Sequence, residues 1–416
     1  MKNNIYIISN ACEKRGLDST RIENYFRFNK CNIVKDCKIA DYIIFVTCSF
    51  KELKKDECFK IIDDLSRYRA ELLVFGCLPD IALEEFKDKF KGRFIGTKDL
   101  GLIDNLFPTF KTKFNEIPDQ NLLINRHKLI YKKQFFRLPK IFLSHFRLSL
   151  NFLRKIKHFL IKETASFCEQ FLRNKAYLRI SNGCIENCAY CCIRRAVGQL
   201  RSKSLEVCRN EYVSLLKAGY REFIIIADNL GAYGFDIKSS LPDLLSYLDF
   251  VSKGVKVRWR LSDLDPKWLI RYKIELFAFI KARKINLIIC PVQSGSSRIL
   301  KLMNRYFDVE KVIETLIESK EINPSLRLET QIIVGFPSES EEDFDQTINL
   351  IKKVRFDEVL IFPYFDGCKT LSSSMDNKVS QDIIDKRIRK LISILERENI
   401  FWLYDERDWK ELSMAD

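Results

Sequence analysis

The chain has 416 residues, 46% of them hydrophobic and 12% aromatic, which is enough for packed cores and excludes disorder of the whole chain. Its formal net charge of +15 indicates an anionic partner such as a nucleic acid. The sequence shows neither a signal peptide nor an apolar run near the ~18–20 residues of a membrane span. We therefore expect a cytoplasmic protein whose fourteen cysteines bind metal or catalyse instead of forming disulfides.

Residues 1–106 alternate short apolar runs with amphipathic stretches. The runs IYIIS (5–9), YIIFV (42–46) and LLVFG (72–76) are typical of buried parallel strands. The stretches between them have helical periodicity with polar faces. This alternation predicts an α/β domain with a parallel sheet, of the flavodoxin-like type.

Residues 107–175 form a strongly basic linker or insertion. They contain 15 Lys or Arg against four acidic residues, which gives +11 of the chain's +15. The cations, among them Lys132, Lys133 and Arg137, are interleaved with Phe and Leu. Such a segment is suited to tracking phosphates and stacking on unpaired bases. A basic amphipathic helix on a membrane surface is a second interpretation.

The β–α alternation resumes in residues 176–375 and predicts a partial (β/α)6 barrel of the TIM type. The six candidate strands are AYLRIS (176–181), EFIIIA (222–227), VKVRWR (255–260), INLIIC (285–290), RLETQIIV (327–334) and DEVLIFPY (357–364). Helical patterns lie between them, for example at 204–218, 240–252, 308–320 and 340–354. The last segment, 376–416, is interpreted as a helical tail.

Three cysteines follow the first strand of this barrel, where (β/α) folds keep their active-site loops. Cys184, Cys188 and Cys191, called the loop triad below, have the spacing C-x3-C-x2-C. A short loop of this kind wraps three thiolates around an iron–sulfur cube and leaves one iron without a protein ligand. Zinc would need a fourth ligand, for which Cys192 is the nearest candidate.

A second triad is scattered along the N-terminal domain. Cys12, Cys48 and Cys77, called the strand-end triad below, each follow one of the three predicted strands. Because the carboxyl ends of parallel strands meet at one edge of a sheet, these thiols are expected to converge there on a second cluster. Buried packing is the alternative, and it suits the remaining cysteines better.

Taken with both triads, the sequence resembles the radical SAM methylthiotransferases of the MiaB/RimO class. The resemblance covers about residues 5–106 and 176–395. Its N-terminal blocks are NACEKRGLDS, VTCSF and GCLP, and its later blocks are CIENCAYCCIRRAVGQLRSKSLEV, DNLGAYG, PVQSGSSRILKLMNR, IVGFPSESEEDF and FPYFDGCKTLSSSM. The chain reads IRRAVG where the family usually has a Pro and an Arg-Gly. It also shows no C-terminal run of short strands for the family's usual substrate-gripping β-barrel.

The resemblance implies two [4Fe–4S] clusters and S-adenosyl-L-methionine as cofactors. The loop triad would hold the cluster that binds S-adenosylmethionine and cleaves it to a deoxyadenosyl radical, and the strand-end triad would hold an auxiliary cluster that presents sulfur. An electron donor such as flavodoxin or ferredoxin is implied as a partner. Arg194, Arg195 and Arg201 are candidate carboxylate or phosphate contacts, with a solvated charged face as the alternative.

Five further residues are candidate contacts of S-adenosylmethionine. Tyr190 precedes the last cysteine of the loop triad and is expected beside the adenine. Asp228 and Asn229 follow the second barrel strand, where a ribose or amino-group contact is expected, and Gln293 follows the fourth. Gly335, in a GFP motif, would let the backbone approach a ligand closely. Loop packing and turn formation are the alternatives for these positions.

Three hypotheses for the function follow. The first is a methylthiotransferase that modifies an unactivated carbon of a modified adenosine in tRNA, which the charge favours. The second is a methylthiotransferase acting on a ribosomal protein or a small precursor peptide. The third is a structural iron–sulfur or zinc protein that binds RNA without catalysis.

Overall fold

The structure is a computed structural model that describes residues 3–49, 52–123, 175–366 and 369–404. Residues 3–123, the N-terminal unit, contain strands β1 (Asn4–Ser9), β2 (Asn32–Ile33), β3 (Tyr42–Thr47), β4 (Glu71–Gly76) and β5 (Phe94–Gly96). The helices of this unit are α1 (Glu13–Phe28), α2 (Glu52–Leu65), α3 (Leu78–Ile81), α4 (Leu83–Lys89) and α5 (Ile103–Leu106). Short 3₁₀ turns cover Cys37–Ile39, Thr97–Leu102 and Phe114–Glu116.

The five N-terminal strands form one parallel sheet in the order β2-β1-β3-β4-β5. This is the flavodoxin-like order that the sequence predicts. The central strands are apolar on both faces because helices cover both, and Ile44 and Phe45 of β3 point to opposite faces and are both fully buried. Phe107, Phe114 and Ile117 are buried in the same core as α1, so the packing of this unit continues beyond residue 106.

Residues 175–404 form the C-terminal unit. Its strands are β6 (Lys175–Arg179), β7 (Ser181–Asn182), β8 (Arg201–Ser202), β9 (Glu222–Ile226), β10 (Arg258–Leu261), β11 (Ile285–Ile289), β12 (Arg327–Val334), β13 (Glu358–Pro363) and β14 (Phe401–Tyr404). Its helices are α6 (Ile193–Val197), α7 (Leu205–Lys217), α8 (Leu241–Val251), α9 (Pro266–Arg271), α10 (Lys273–Lys281), α11 (Ser297–Leu302), α12 (Val309–Ile322), α13 (Glu341–Val354) and α14 (Gln381–Arg397). Leu230–Ala232 and Leu371–Ser374 are 3₁₀ turns.

Seven strands of this unit form a parallel sheet in the order β14-β13-β12-β11-β10-β9-β6. The prediction of a partial parallel barrel is confirmed, with six strands close to their expected places. The third strand begins at Arg258 and not at residue 255, because Val255 closes a turn on Ser252. Strand β14 was not predicted: the segment interpreted as a helical tail contains α14 and then this edge strand, which pairs with β13.

Serine caps explain where several helices of the C-terminal unit begin. The hydroxyls of Ser204, Ser240, Ser296 and Ser340 accept hydrogen bonds from backbone N–H groups three residues further on. Since the capping residues directly follow the loops at the carboxyl ends of the strands, each helix starts at the edge where the predicted site lies.

The basic segment falls largely outside the described residues. Only 107–123 and Lys175 belong to the described part, so the phosphate-tracking prediction for Lys132, Lys133 and Arg137 is untested by the structure. The division of the chain at 106, 175 and 375 stays a prediction as well. No helix in the part of the chain that is described is long and apolar enough to cross a membrane.

Candidate metal and cofactor site

The strand-end triad lies at the carboxyl edge of the N-terminal sheet. Cys12 is the N-cap of α1, three residues after β1, while Cys48 and Cys77 directly follow β3 and β4. The thiols of Cys12 and Cys48 are close enough to shift each other's pKa, and Cys77 is near enough to both to interact with them electrostatically. Asn10 joins two of the strand ends, because its Oδ1 accepts the backbone N–H of Cys48 at 3.2 Å. Thr97 hydrogen-bonds the Cys77 thiol over 3.5 Å.

The charges around this triad favour one thiolate. The interaction with Cys48, helped by the charges of Arg15 and Lys14, lowers the pKa of Cys12 to about 6, although the residue is exposed. The interaction with Cys12, together with burial, raises the pKa of Cys48. Burial raises the pKa of Cys77 to about 12. Metals bind thiolates, so the binding of iron here would release protons from Cys48 and Cys77.

The loop triad is held by hydrogen bonds at both ends of its loop. Gly183, with φ +85°, donates its N–H to Asp228 at 2.9 Å, and a side chain at this position would overlap the carbonyl of Gln199. Further along the loop, Ala189 donates to the carbonyl of Met303 at 2.9 Å. The loop is therefore anchored to the strand edge on one side and to the end of α11 on the other.

The three loop thiols are partly buried. Burial raises the pKa of Cys184 to about 12 and that of Cys191 to about 11, and it raises the pKa of Cys188 as well. Cys188 and Cys191 each raise the pKa of Cys184, and Cys188 raises that of Cys191, so the three thiols are electrostatic neighbours. Their protons, too, would be released on binding iron.

Two of the predicted cofactor contacts bind the loop itself. Asn229 is buried and donates from Nδ2 to the sulfur of Cys184 at 3.5 Å and to the carboxylate of Glu186 at 3.1 Å. Asp228 accepts the N–H of Gly183 and lies 3.5 Å from the guanidinium of Arg15. Both residues therefore position the loop triad, and their contact with S-adenosylmethionine stays a prediction.

Tyr190 lies under an arginine that the sequence reasoning missed. Arg305 is buried, donates to the Tyr190 hydroxyl at 3.4 Å and to the sulfur of Cys188 at 3.9 Å, and forms an ion pair with Asp265 at 3.0 Å. Burial is the main cause that raises the pKa of Tyr190. The only sequence signal for Arg305 is its place in the block PVQSGSSRILKLMNR, since its partners are distant along the chain.

Gln293 has the features of a ligand contact, whereas Gly335 has a clear packing role. Gln293 has φ +70°, its side chain is buried, and its Oε1 has no hydrogen-bond partner among the described residues. A buried amide oxygen without a donor is rare unless a ligand or water supplies one. Gly335 has φ +85°, donates to Glu339 at 2.7 Å, and leaves no room for a side chain beside Ile384 of α14.

The strand-end triad lies close to the loop of the other triad across the boundary between the units. Cys77 packs with Ile81 of α3 against Cys192 and Ala196 at the start of α6. Lys14 of α1 forms an ion pair with Asp263 of the C-terminal unit at 3.0 Å. Because the thiol of Cys192 lies in this apolar cluster beside Cys77, its placement does not favour the zinc alternative for the loop triad.

The donor sets have the chemistry that iron–sulfur clusters require. Within the described ranges, no three Cys, His, Asp or Glu side chains converge on one point as the ligands of a single metal ion do. In an iron–sulfur cube each thiolate binds a different iron, so the thiols stand further apart. Thiol donors also suit iron–sulfur clusters and not Mg²⁺ or Ca²⁺, which prefer oxygen.

Comparison with known proteins identifies the family. The chain matches the model of the radical SAM superfamily over residues 178–351 and that of the uncharacterized protein family UPF0004 over residues 4–96. It is 30% identical over 392 residues to the ribosomal protein uS12 methylthiotransferase RimO of Thermotoga sp. (strain RQ2), an alignment that covers 92% of this chain and 81% of the relative. The chain belongs to the radical SAM methylthiotransferase family.

A second class of relatives matches this methylthiotransferase equally well. The tRNA-2-methylthio-N(6)-dimethylallyladenosine synthase of Clostridium botulinum (strain Loch Maree / Type A3) is 30% identical over 397 residues, covering 92% of this chain and 80% of that protein. Among solved structures, the radical S-adenosylmethionine methyltransferase TsrM from Kitasatospora setae aligns with a TM-score of 0.59 and 11% identity, over 90% of this chain and 77% of that one. The latter shows a shared fold.

Membership of the family confirms several predictions. The chain is an enzyme of the methylthiotransferase class, which excludes the non-catalytic hypothesis. The predicted cofactors, S-adenosylmethionine and [4Fe–4S] clusters, are those of the family. The identities do not separate the protein substrate named for one relative from the tRNA named for the other.

Proposed function

We propose that this methylthiotransferase acts on tRNA and adds a methylthio group to an unactivated carbon of a modified adenosine. The observation that carries this choice over a protein substrate is charge. The net charge is +15, and residues 107–175 contribute +11 of it among interleaved aromatic residues. Cations bind RNA by neutralising backbone phosphates, and aromatic side chains stack on unpaired bases. A typical protein substrate has neither closely spaced phosphates nor unpaired bases for such a segment to bind.

The loop triad is assigned to the cluster that binds S-adenosylmethionine, and the strand-end triad to the auxiliary cluster. Support for the first assignment comes from its surroundings, because Asn229 and Arg305 place polar groups beside the loop triad. When bound, the first cluster would supply the electron that cleaves S-adenosylmethionine, and the auxiliary cluster would supply a sulfur atom for transfer.

The chain's own residues then have placing roles. Asn229 and Gly183 hold the loop so that Cys184 keeps its position, and Arg305 does the same for Cys188. The free Oε1 of Gln293 would accept a hydrogen bond from the amino group of S-adenosylmethionine, and Tyr190 would pack beside its adenine. Asp228 would support these contacts by holding Gly183 of the loop, and Gly335 would let the backbone come close to the ligand.

The proximity of the two triads indicates where the substrate would bind. Methylthio transfer requires the carbon that loses hydrogen to lie next to the sulfur that replaces it. Cys77 of one triad packs against Cys192, the residue after the last cysteine of the other. The adenine base would therefore bind between the two units, with a cluster on either side. The buried residues Cys48, Cys77, Asn229 and Arg305 would limit the access of water to the reaction.

Mass spectrometry tests the substrate. The enzyme, Cys184→Ala and the matched control Cys208→Ala, which removes a buried core thiol, are each produced in a host without other methylthiotransferases. We expect a methylthio addition on tRNA nucleosides with the enzyme and the control, and none with Cys184→Ala. A methylthio addition on a ribosomal protein or peptide, with unmodified tRNA, would contradict the tRNA proposal and select the second hypothesis.

Salt dependence tests the charge argument separately. If residues 107–175 contact phosphates, log affinity for tRNA falls linearly with log salt, with a slope of roughly −0.7 per contact for single-stranded regions. Replacing Lys132, Lys133 and Arg137 by Ala is expected to flatten this slope without changing the iron content. If the three substitutions changed neither the affinity for tRNA nor its salt dependence, the main support for an RNA substrate would be lost.

A further inference from the structure

A cationic cleft opens between the two units beside the strand-end triad. Its lining contains five cations and one acid, Arg15, Arg21, Lys98, Arg179, Arg201 and Asp18. Its volume is about 190 Å³, several times the ~30 Å³ that a water molecule takes in the liquid. The cleft is therefore large enough for an anion of several atoms together with water, and its lining carries an excess of positive charge.

Two buried arginines form the floor and are only partly hydrogen-bonded. Arg179 of β6 donates from Nη1 to Asp18 at 2.5 Å and pairs through Nη2 with Asp119 at 3.2 Å, but its Nε has no hydrogen-bond partner among the described residues. Arg15 of α1 pairs through Nη1 with Asp18 at 2.8 Å. Its Nη2 is 3.5 Å from Asp228 and likewise makes no hydrogen bond within the described ranges.

Two exposed cations stand at the mouth of the cleft. Arg201, in β8 of the C-terminal unit, makes neither an ion pair nor a side-chain hydrogen bond with any described residue. Lys98 faces it from the N-terminal unit and has only a loose ion pair with Asp80, at 3.7 Å. Each unit thus contributes one weakly engaged cation to the entrance and one buried arginine to the floor.

An ion-pair network alone does not explain this arrangement. A guanidinium has five N–H donors, and burying them unsatisfied is costly, so a network built only for stability would pair Arg15 and Arg179 fully. The accessible cations at the mouth come from both units and the buried arginines lie beneath them, so an anion in the cleft would meet positive charge from several directions, which suits a tetrahedral oxyanion better than a planar carboxylate. Arginine is also the side chain best matched to phosphate oxygens. We propose that the cleft is a binding site for a phosphate group.

A phosphate in this cleft would lie beside the auxiliary cysteines. Thr97 lines the cleft and also hydrogen-bonds Cys77. Arg15 lines it too, and its charge acts on both Cys12 and Cys77. The phosphate has two possible sources, a backbone phosphodiester of the RNA substrate or a free phosphate such as that of a nucleotide. The first source rests on the proposed function and the second does not.

Inorganic phosphate is the probe for the site. Binding to the reconstituted holoenzyme is measured by calorimetry at constant ionic strength set with chloride. The test variant carries Lys98→Ala and Arg201→Ala, both exposed, so that folding is preserved, and the control is Arg209→Ala on the exposed face of α7. We expect saturable binding to the enzyme and the control, and affinity at least about tenfold weaker in the double variant, since charge-assisted hydrogen bonds are lost. Absence of binding to the enzyme, or equal binding by the double variant, would overturn the proposal.

Competition with tRNA distinguishes the sources. If the phosphate belongs to the RNA backbone, free phosphate competes with tRNA, and the double variant loses tRNA affinity in proportion to its loss of phosphate affinity. If the site serves a free phosphate, tRNA affinity is the same in the double variant and in Arg209→Ala, while phosphate binding still differs. Phosphate binding by an enzyme that leaves tRNA unmodified would refute the proposed substrate and leave the phosphate site standing.

Discussion

Replacing Asp18 by Asn tests the charge network that joins the two units. The Asp18 carboxylate lies in α1 and pairs with Arg15 at 2.8 Å and with Arg179 of β6 at 2.5 Å. Both arginines are at most 3% exposed, so neither can turn to solvent when the carboxylate is lost. Removing one partner from a buried ion pair costs about 3–5 kcal/mol, because the other charge is left buried and uncompensated. Arg179 keeps Asp119 at 3.2 Å, which limits the loss, so about 3 kcal/mol is expected.

Urea unfolding at neutral pH measures this loss. The matched control is Asp64→Asn, the same substitution in an exposed pair with Arg67, for which a change of about 0–1 kcal/mol is expected. Since the Asp18–Arg179 pair joins the units, Asp18→Asn is also expected to separate unfolding into two transitions. Adding Arg179→Met should restore part of the lost stability by removing the unpaired charge. If Asp18→Asn changed the free energy of unfolding no more than the control, the interface would not depend on this network.

Four further predictions concern the triads and the C-terminal unit. Replacing the loop triad by Ala should halve an iron content of about eight per chain and abolish S-adenosylmethionine cleavage, while Cys208→Ala changes neither; cleavage by the triple variant would refute the assignment. Replacing the strand-end triad should remove the other half of the iron and stop methylthio transfer but leave cleavage intact; zinc at this site would contradict it. Gly335→Ala should destabilise the fold by at least about 1–3 kcal/mol, because its φ is +85° and Ile384 occupies the space of a side chain, and an unchanged melting temperature would disprove this packing role. Burial raises the pKa of Glu339 to about 7. The folded protein therefore binds more protons than the unfolded chain between pH 4.5 and 7. As the pH rises over that range, the free energy of unfolding, relative to that of Glu339→Gln, should fall by up to about 3 kcal/mol. A difference between the two proteins that stays constant with pH would refute this.

The strands that the sequence predicted are those with long apolar runs. LLVFG at 72–76 lies in β4 and is buried on both faces of its sheet, so its composition alone indicates a central parallel strand. β14 has only four residues, all of them half-buried, and it exists because Phe401–Tyr404 pair with the edge of β13. Its strand character comes from that neighbour and is not visible in the local sequence.

The site shows the same division between local and distant signals. The cysteines of both triads were found because each follows a strand or shares a short loop, and those relations are local. Asp18 and Arg179 are 161 residues apart, and Arg305 is 117 residues from Cys188. No pattern in one sequence shows that such residues face each other, since the packing of the two units decides it.

The polar character of the boundary between the units gives the triads a defined relative position. Apolar surfaces tolerate some sliding because the hydrophobic effect has no direction, whereas guanidinium–carboxylate pairs are strong only in a narrow range of geometries. The boundary has a small apolar contact, between Cys77 and Cys192. Beside it lie the ion pairs that cross the boundary, Arg15 with Asp228, Arg179 with Asp18 and Lys14 with Asp263. Buried ion pairs add little net stability compared with apolar packing. Their value here is orientation. Under the proposed function, the sulfur donor on one unit and the radical source on the other would have to act on the same carbon, and a displacement of about 1 Å is enough to cost such a reaction two orders of magnitude in rate.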